Sequence, residues 1–256
     1  MHPHGTLPLE LVDQVIDELG EAFRKGHFNA RPALLACSLV SKTWTVRSRS
    51  HMFRRVEING RKVKPTSTPA SIVQYVKELE VLYYGKTPAQ TASIADFLKA
   101  FATAPIECLR IMGMMLFDKR TCILECIEAH FATLERLEFQ HCSLSPHNIS
   151  DIVLGRHRLE SLSLISCGST GQRSSPPGGP DTHLKPSDME LCISGPVDVV
   201  TMVAGLPHRF RKLDVLHIVT EEETTTEAMN ALIKANGDVL SSLRARIWAG
   251  VFETSS

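Results

Sequence analysis

Leu134-Glu135-Arg136-Leu137-Glu138-Phe139-Gln140-His141-Cys142-Ser143-Leu144 is the stretch whose reading decides the fold. Its apolar positions fall as Leu-x-x-Leu-x-Phe-x-x-Cys-x-Leu. Leu137 and Phe139 alternate with charged and polar residues, as in a short strand whose successive side chains go to opposite faces. Leu137 and Phe139 then belong to a core, and Glu138 to the other face.

Outward from this stretch, the phrase apolar-x-x-Leu-x-apolar recurs. It reads Val76-x-x-Leu79-x-Val81, Ile106-x-x-Leu109-x-Ile111 and Leu159-x-x-Leu162-x-Leu164, with a shorter copy at Leu191-x-Ile193. Phe210-x-x-Leu213-x-Val215 and Leu240-x-x-Leu243-x-Ala245 complete the series. The central Leu residues, at 79, 109, 137, 162, 191, 213 and 243, are 30, 28, 25, 29, 22 and 30 residues apart. Recurrence near a fixed period predicts a solenoid. The Leu134–Leu144 copy resembles the leucine-rich repeat at each fixed position of its template, with Phe139 for one Leu. Ile106 to Leu116 and Leu159 to Cys167 are similar. Cys142 and Cys167 fill the template's Asn/Cys slot, where a small side chain is buried at the strand-to-loop turn.

Helical spacing fills the gaps. Ile94, Phe97, Leu98 and Phe101 make one stripe, and Ile123, Ile127, Phe131 and Leu134 another. Ser145 before Pro146 opens a third, with Ile149, Ile152 and Val153. Thr224-x-x-Glu227 reads as a capping box ahead of Met229, Leu232 and Ile233, with Gly237 as the stop. The predicted class is α/β, with short parallel strands alternating with helices over residues 71–256. Residues 59–70, with Pro65 and Pro69, read as a linker. A Gly-, Ser- and Pro-rich insertion spans 168–188. Within it Ser175-Pro176 is a candidate phosphorylation site, against the plainer reading of a passive loop.

Residues 1–58 have a different pattern. Pro8 suits the first position of a helix, Thr6 its cap and Glu10 its positive end. Leu11, Val12, Val15, Ile16 and Leu19 form one face, and Gly20 is placed to stop or bend the helix. A polar loop over Glu21 to Arg31 follows. Pro32 opens a second helix with Leu34, Leu35, Leu39 and Val40; a third carries Trp44 towards Met52 and Phe53. Three short helices bury little surface and commonly need a partner.

This segment resembles the F-box, through Leu7, Pro8, Glu10, Leu11, Ile16, Leu19, Leu35, Cys37, Val40, Ser41, Lys42, Trp44 and Phe53. Its loop between the first two helices, with Glu21, Arg24, Lys25 and His27, is longer than the family usually has. The resemblance implies that Leu7, Pro8, Leu11, Val15, Ile16, Leu35 and Val40 face a Skp-family adaptor, and through it a cullin. It implies that Trp44 packs the three helices together. F-box plus irregular leucine-rich repeats resembles the expanded F-box families of basidiomycete, mushroom-forming fungi. The implied function is the substrate-recognition adaptor of an SCF-type cullin-RING ubiquitin ligase, with the repeats holding an unknown protein target. Candidate target contacts are the non-core strand residues Glu78, Glu80, Arg110, Glu135, Glu138, Ser163 and Asp214. The alternatives are a leucine-rich-repeat scaffold without a ligase role and an enzyme on another α/β fold.

Bulk properties bound the partners. Of 256 residues, 28 are Lys or Arg and 28 are Asp or Glu, a balance that argues against nucleic acid or an anionic membrane as main partner. The basic run Arg47, Arg49, Arg54 and Arg55 lacks the aromatic interleaving of a nucleic-acid site and reads as a solvated helix face. The start lacks the basic and apolar regions of a secretory signal. The quiet stretch Val197 to Leu206 is too short to span a bilayer. Seven cysteines without framework spacing predict reduced thiols and a cytoplasmic or nuclear protein.

Catalytic and metal motifs are sparse. Cys122, Cys126 and His130 lie on one side of a helix, with His141 and Cys142 nearby, but three ligands over two turns converge poorly on zinc. The plainer reading makes both cysteines small core residues. Gly168-x-x-Gly171 lacks the Gly-Lys-Ser/Thr of a phosphate loop, and there is no Gly-x-Ser-x-Gly elbow. His141, His208 and His217 fall near repeat strands without an assignable carboxylate or nucleophile. Glu221-Glu222-Glu223 reads as a solvated acidic turn. No metal or cofactor is predicted. The apolar end at Trp248, Val251 and Phe252 predicts truncation or cover by another molecule, since solenoids need a polar cap.

Overall fold

A computed structural model of the chain describes residues 8–59, 70–83, 88–113, 122–144, 159–169, 189–194, 213–220, 230, 233–234 and 242–247. Leu7, linker residues 60–69, the Ser145-Pro146 helix, Ser175-Pro176, His208, Glu221–Glu223, the Thr224 capping box and the segment from Trp248 lie outside the described residues.

The first apolar face makes helix α1, Leu9–Arg24. Pro8 stands one residue ahead of it, and its carbonyl accepts the N–H groups of Leu11 and Val12 at 3.1 and 3.3 Å. Gly20 does not stop α1. Its absent side chain admits the His51 ring, which lies 2.2 Å from where a Cβ would stand. The helix therefore runs a turn further than Gly20 suggests, and the expected loop shrinks to 25–29. Helix α2, Ala30–Cys37, begins before Pro32. Proline is tolerated there because first-turn N–H groups have no partner within the helix. Ser41 caps helix α3, Lys42–Met52, by accepting the Trp44 N–H at 3.3 Å. Val12, Ile16 and Leu34 form a small core, with Leu19, Phe23, Cys37, Trp44 and Met52 packed against it.

The chain turns directly from α3 into strand β1, Arg55–Asn59. The sheet thus begins inside the segment assigned above to the helical unit. Val56-x-Ile58 is the alternation that marks this strand. A short helix α4, Ala70–Val73, leads to β2, Glu78–Leu82. Then come α5 (Pro88–Lys99), β3 (Cys108–Met112), α6 (Cys122–His130) and β4 (Arg136–Gln140). After these come β5 (Ser143–Leu144), β6 (Ser161–Ile165), β7 (Gly168–Ser169), β8 (Met189–Ser194), β9 (Leu213–Thr220) and β10 (Ser242–Ile247).

Eight strands form one parallel sheet in chain order, β1-β2-β3-β4-β6-β8-β9-β10, and β5 pairs with β7 beside it. The result is a mixed α/β chain with helices and a parallel sheet. Neighbouring strands align copy on copy. Leu79, Leu109, Leu137 and Leu162 stand opposite one another, as do Val81, Ile111, Phe139 and Leu164, and all eight are buried. Ile94, Leu98 and Phe101, with Ile123, Ile127 and Phe131, complete the same core. Ile233 packs against it.

The register corrects one copy. Leu216 and Ile218, not Leu213 and Val215, stand opposite Leu191 and Ile193 on one side and Leu243 and Ala245 on the other. With Leu216 central, the last two spacings become 25 and 27 residues in place of 22 and 30. The run Leu213, Val215, Leu216, Ile218, Val219 holds two competing alternations, and only the ladder selects between them.

The turn after a strand also repeats. The residue following β3, β4 and β6 is left-handed each time: Gly113 at φ 74°, His141 at 51° and Ser166 at 49°. Cys142 and Cys167 follow the last two and are buried. Each thiol donates to a carbonyl of the preceding copy, Cys142 Sγ to Ile111 O at 3.5 Å and Cys167 Sγ to Phe139 O at 3.4 Å.

Candidate functional site

Two surfaces can carry function. The first belongs to the helices. The large, strongly exposed apolar residues among the described ones are Leu9, Leu11, Val15, Phe28, Leu35, Leu39, Val40 and Val46, all from α1 to α3 and their turns. Leu11 and Val15, one turn apart on α1, are 49% and 54% exposed. Leu35 and Val40 are 47% and 61% exposed. Pro8 is exposed at the start of α1. Ile16 is the correction to the adaptor-facing set: it is fully buried between α1 and α2 beside Val12 and Leu34, so it serves the core. Its neighbour Val15 is rotated about 100° around the helix and points out.

Polar bonds hold α3 on α1 behind that surface. Arg47 Nε and Nη2 donate to the two Asp17 oxygens at 2.9 and 2.6 Å, and its Nη1 lies 2.9 Å from Asp13. His51 Nε2 is 2.8 Å from Asp17 Oδ1. The Arg47 hydrogen bond, working against burial and aided by His51, holds Asp17 at about 2, below its ordinary 3.8. These residues, with Thr43, Val46 and Ser50, line an open cleft of about 550 Å³. Its charges are matched within the fold, so it offers no free charge to a ligand.

The second surface is the sheet face turned away from the core. Its middle row runs Glu57, Glu80, Arg110, Glu138, Ser163 across neighbouring strands, and by register continues through Cys192, His217 and Arg244. From Glu80 through Arg110 to Glu138 the row alternates in sign and forms an ion ladder, while Glu57 stands opposite Glu80 as a like charge. Arg55 pairs with Glu80, Arg110 Nη1 lies 3.8 Å from Glu80, and Arg110 Nε lies 2.9 Å from Glu138. Gln140 donates to Glu138. Arg54 pairs with Glu78 at 3.1 Å and Glu107 at 3.7 Å, and Lys77 also pairs with Glu107. Among Glu80, Arg110 and Glu138 the alternation of sign across adjacent strands lets each charge meet an opposite one. Glu80, only 8% exposed, is the most enclosed member.

Among the target-facing candidates, Glu78, Glu80, Arg110, Glu138 and Ser163 do lie on this face. Two are corrected. Glu135 precedes β4, where its backbone bonds to Glu107 and Glu160 on adjacent copies, outside the open-face rows. Asp214 is the extra residue at a register irregularity, because Met189 pairs with Leu213 and Glu190 with Val215. The basic run is dispersed: Arg47, Arg54 and Arg55 are spent on ion pairs. The ladder was missed from sequence because its ion-pair partners lie in different copies, 24 to 53 residues apart. Cys126 is buried with its thiol 3.6 Å from Ala95 O, a core position.

No family model matches the chain, and no curated protein matches it in sequence. No helix among the described residues is long and apolar enough to cross a membrane.

Proposed function

We propose that this chain is the substrate-recognition adaptor of an SCF-type cullin-RING ubiquitin ligase. Its first three helices act as an F-box on a Skp-family adaptor, which links it to a cullin. The repeated strands and helices act as an irregular leucine-rich solenoid that holds a target protein. The bond chemistry belongs to other subunits, and this chain supplies proximity. One observation carries the reading: among the described residues the strongly exposed large apolar side chains cluster on the helical unit, while the core-side residues of β2, β3, β4 and β6 are buried. Apolar surface concentrated on one small module marks a protein-binding site. The docking set is Pro8, Leu11, Val15, Leu35 and Val40, together with Leu7. On the sheet, Glu78, Arg110, Glu138 and Ser163 are the accessible target contacts, and Glu80 supports them from the ladder.

The test is complex formation between the full chain and a purified Skp-family adaptor, by size-exclusion chromatography. A Leu11→Asp/Val15→Asp variant should melt like the parent, because both side chains are already half exposed, yet elute apart from the adaptor. A folded parent that forms no complex refutes the ligase role and leaves a leucine-rich scaffold as the better reading.

A further inference from the structure

The open face carries three rows, and they differ in what they leave unmatched. In the middle row, Glu80, Arg110 and Glu138 answer one another. In the row nearer the strand starts, Arg55 pairs with Glu80 and Glu78 with Arg54. Arg136 is the exception. It stands between Cys108 and Ser161 in that row, is exposed, and has no carboxylate partner among the described residues. The side chains of Ser161 and Ser163 on the next strand are half-buried and make no hydrogen bond among the described residues. Internal pairing therefore stops at β4, and a cation with two hydroxyls beside it is left where β4 meets β6.

The row nearer the strand ends is largely apolar. By register it runs Leu82, Met112, Gln140, Ile165, and all four are half-buried. Leu82, Met112 and Ile165 alternate with core residues, so they lie on the open face. The partly buried apolar residues that pack against the core are others, Val56, Phe97 and Ile233. Apolar surface with polar donors on one side has the composition of a protein-binding patch.

We infer that the open face takes a segment of the target that sets one carboxylate against Arg136 and an apolar side chain over Met112 and Ile165, about 13 Å further along the strands. The inference rests on the target-holding reading above and adds what the held segment must carry. Arg136 is the specificity-determining residue, because its guanidinium offers a carboxylate two parallel N–H donors. Ser161 and Ser163 supply further donors next to it. Glu57, Glu78, Glu80 and Glu138 share this face, so a single carboxylate fits where a nucleic acid or an anionic lipid surface would be repelled.

The probe is a phage-displayed library of random peptides, about twelve residues long to cover that step in extended form, panned on the full chain. Peptides selected by the parent should be enriched in Asp or Glu set about four residues from a large apolar residue. A synthetic copy of a selected peptide should bind Arg136→Glu about tenfold or more weakly in biolayer interferometry. Replacing its acidic residue with Lys should restore binding to that variant, a rescue that a merely structural role for Arg136 would not give. Arg136→Glu should melt within about 2 °C of the parent, since the side chain is exposed. Met112→Gln/Ile165→Thr should lose the apolar preference and keep the acidic one.

The same parent preparation is tested for complex formation with a Skp-family adaptor. A parent that binds the adaptor but selects peptides without acidic enrichment, or with the same enrichment as Arg136→Glu, overturns the inference and leaves the ligase reading standing. A parent that selects no peptide above background also overturns it. A parent that selects the acidic peptides and does not bind the adaptor upholds the inference on a scaffold and refutes the ligase role.

Discussion

Arg47 grips Asp17 with two hydrogen bonds, Nε to Oδ1 at 2.9 Å and Nη2 to Oδ2 at 2.6 Å, across the contact between α3 and α1. The fork geometry fixes the angle as well as the distance between the helices. Asp17 is held at about 2 against an ordinary 3.8, so its contribution to stability is present above about pH 4 and lost as pH falls towards 2. The side chain is 48% exposed and therefore screened, which keeps the effect below about 1 kcal/mol. Asp17→Asn should lower the melting temperature at pH 7, and the gap from the parent should close by pH 2. Circular dichroism melts at the two pH values check this.

Gly20→Ala should destabilise the helical unit by about 1–3 kcal/mol, because the new methyl meets the His51 ring. The ring cannot retreat without giving up its 2.8 Å contact with Asp17. Adding His51→Ala should recover most of the loss. A double-mutant cycle in urea reads the coupling; additive effects would show that the contact is not the cause.

Ser166→Gly should stabilise the sheet by about 1 kcal/mol, since φ 49° costs an L-residue that much and glycine nothing. Gly113→Ala, at φ 74°, should have the opposite sign and a similar size. Urea midpoints that move the same way for both variants would contradict the shared turn.

Glu80→Ala leaves Arg55 and Arg110 facing each other across a mostly buried position, and should cost about 1–3 kcal/mol. Glu135→Ala removes a carboxylate with no ion pair among the described residues and should stay within about 0.5 kcal/mol. Equal losses in chemical denaturation would show that the ladder confers nothing special on Glu80.

Much of the sheet was legible because its core repeats. A Leu-x-apolar pair at each strand centre is enough to find Leu79, Leu109, Leu137 and Leu162. Strand β1 was hidden because Arg55-Val56-Glu57-Ile58-Asn59 follows a helix without a turn residue and lacks a central Leu. Leu216 was hidden because apolar residues fall on both alternations of its sequence, and only the register with β8 and β10 decides between them. On the helical unit, the stripe on α1 showed that one face is apolar, but not which residues sink into the core. Val15 and Ile16 are adjacent and similar in chemistry. The position of Leu34 on α2 separates them, and that is a tertiary fact.

Only Phe53 and Arg54 lie between the last turn of α3 and the first strand. The Arg54 carbonyl accepts the N–H groups of both Lys77 and Glu78 at 2.9 Å, and its side chain reaches Glu78. The joint between helices and sheet is thus stitched by main chain and side chain together. A cargo held on the open face would move with whatever grips the helices, as weight on a rigid lever moves with its handle. The reach of such a receptor would be set by the length of its sheet, and each added or lost repeat would move the cargo by one strand spacing, about 4.8 Å.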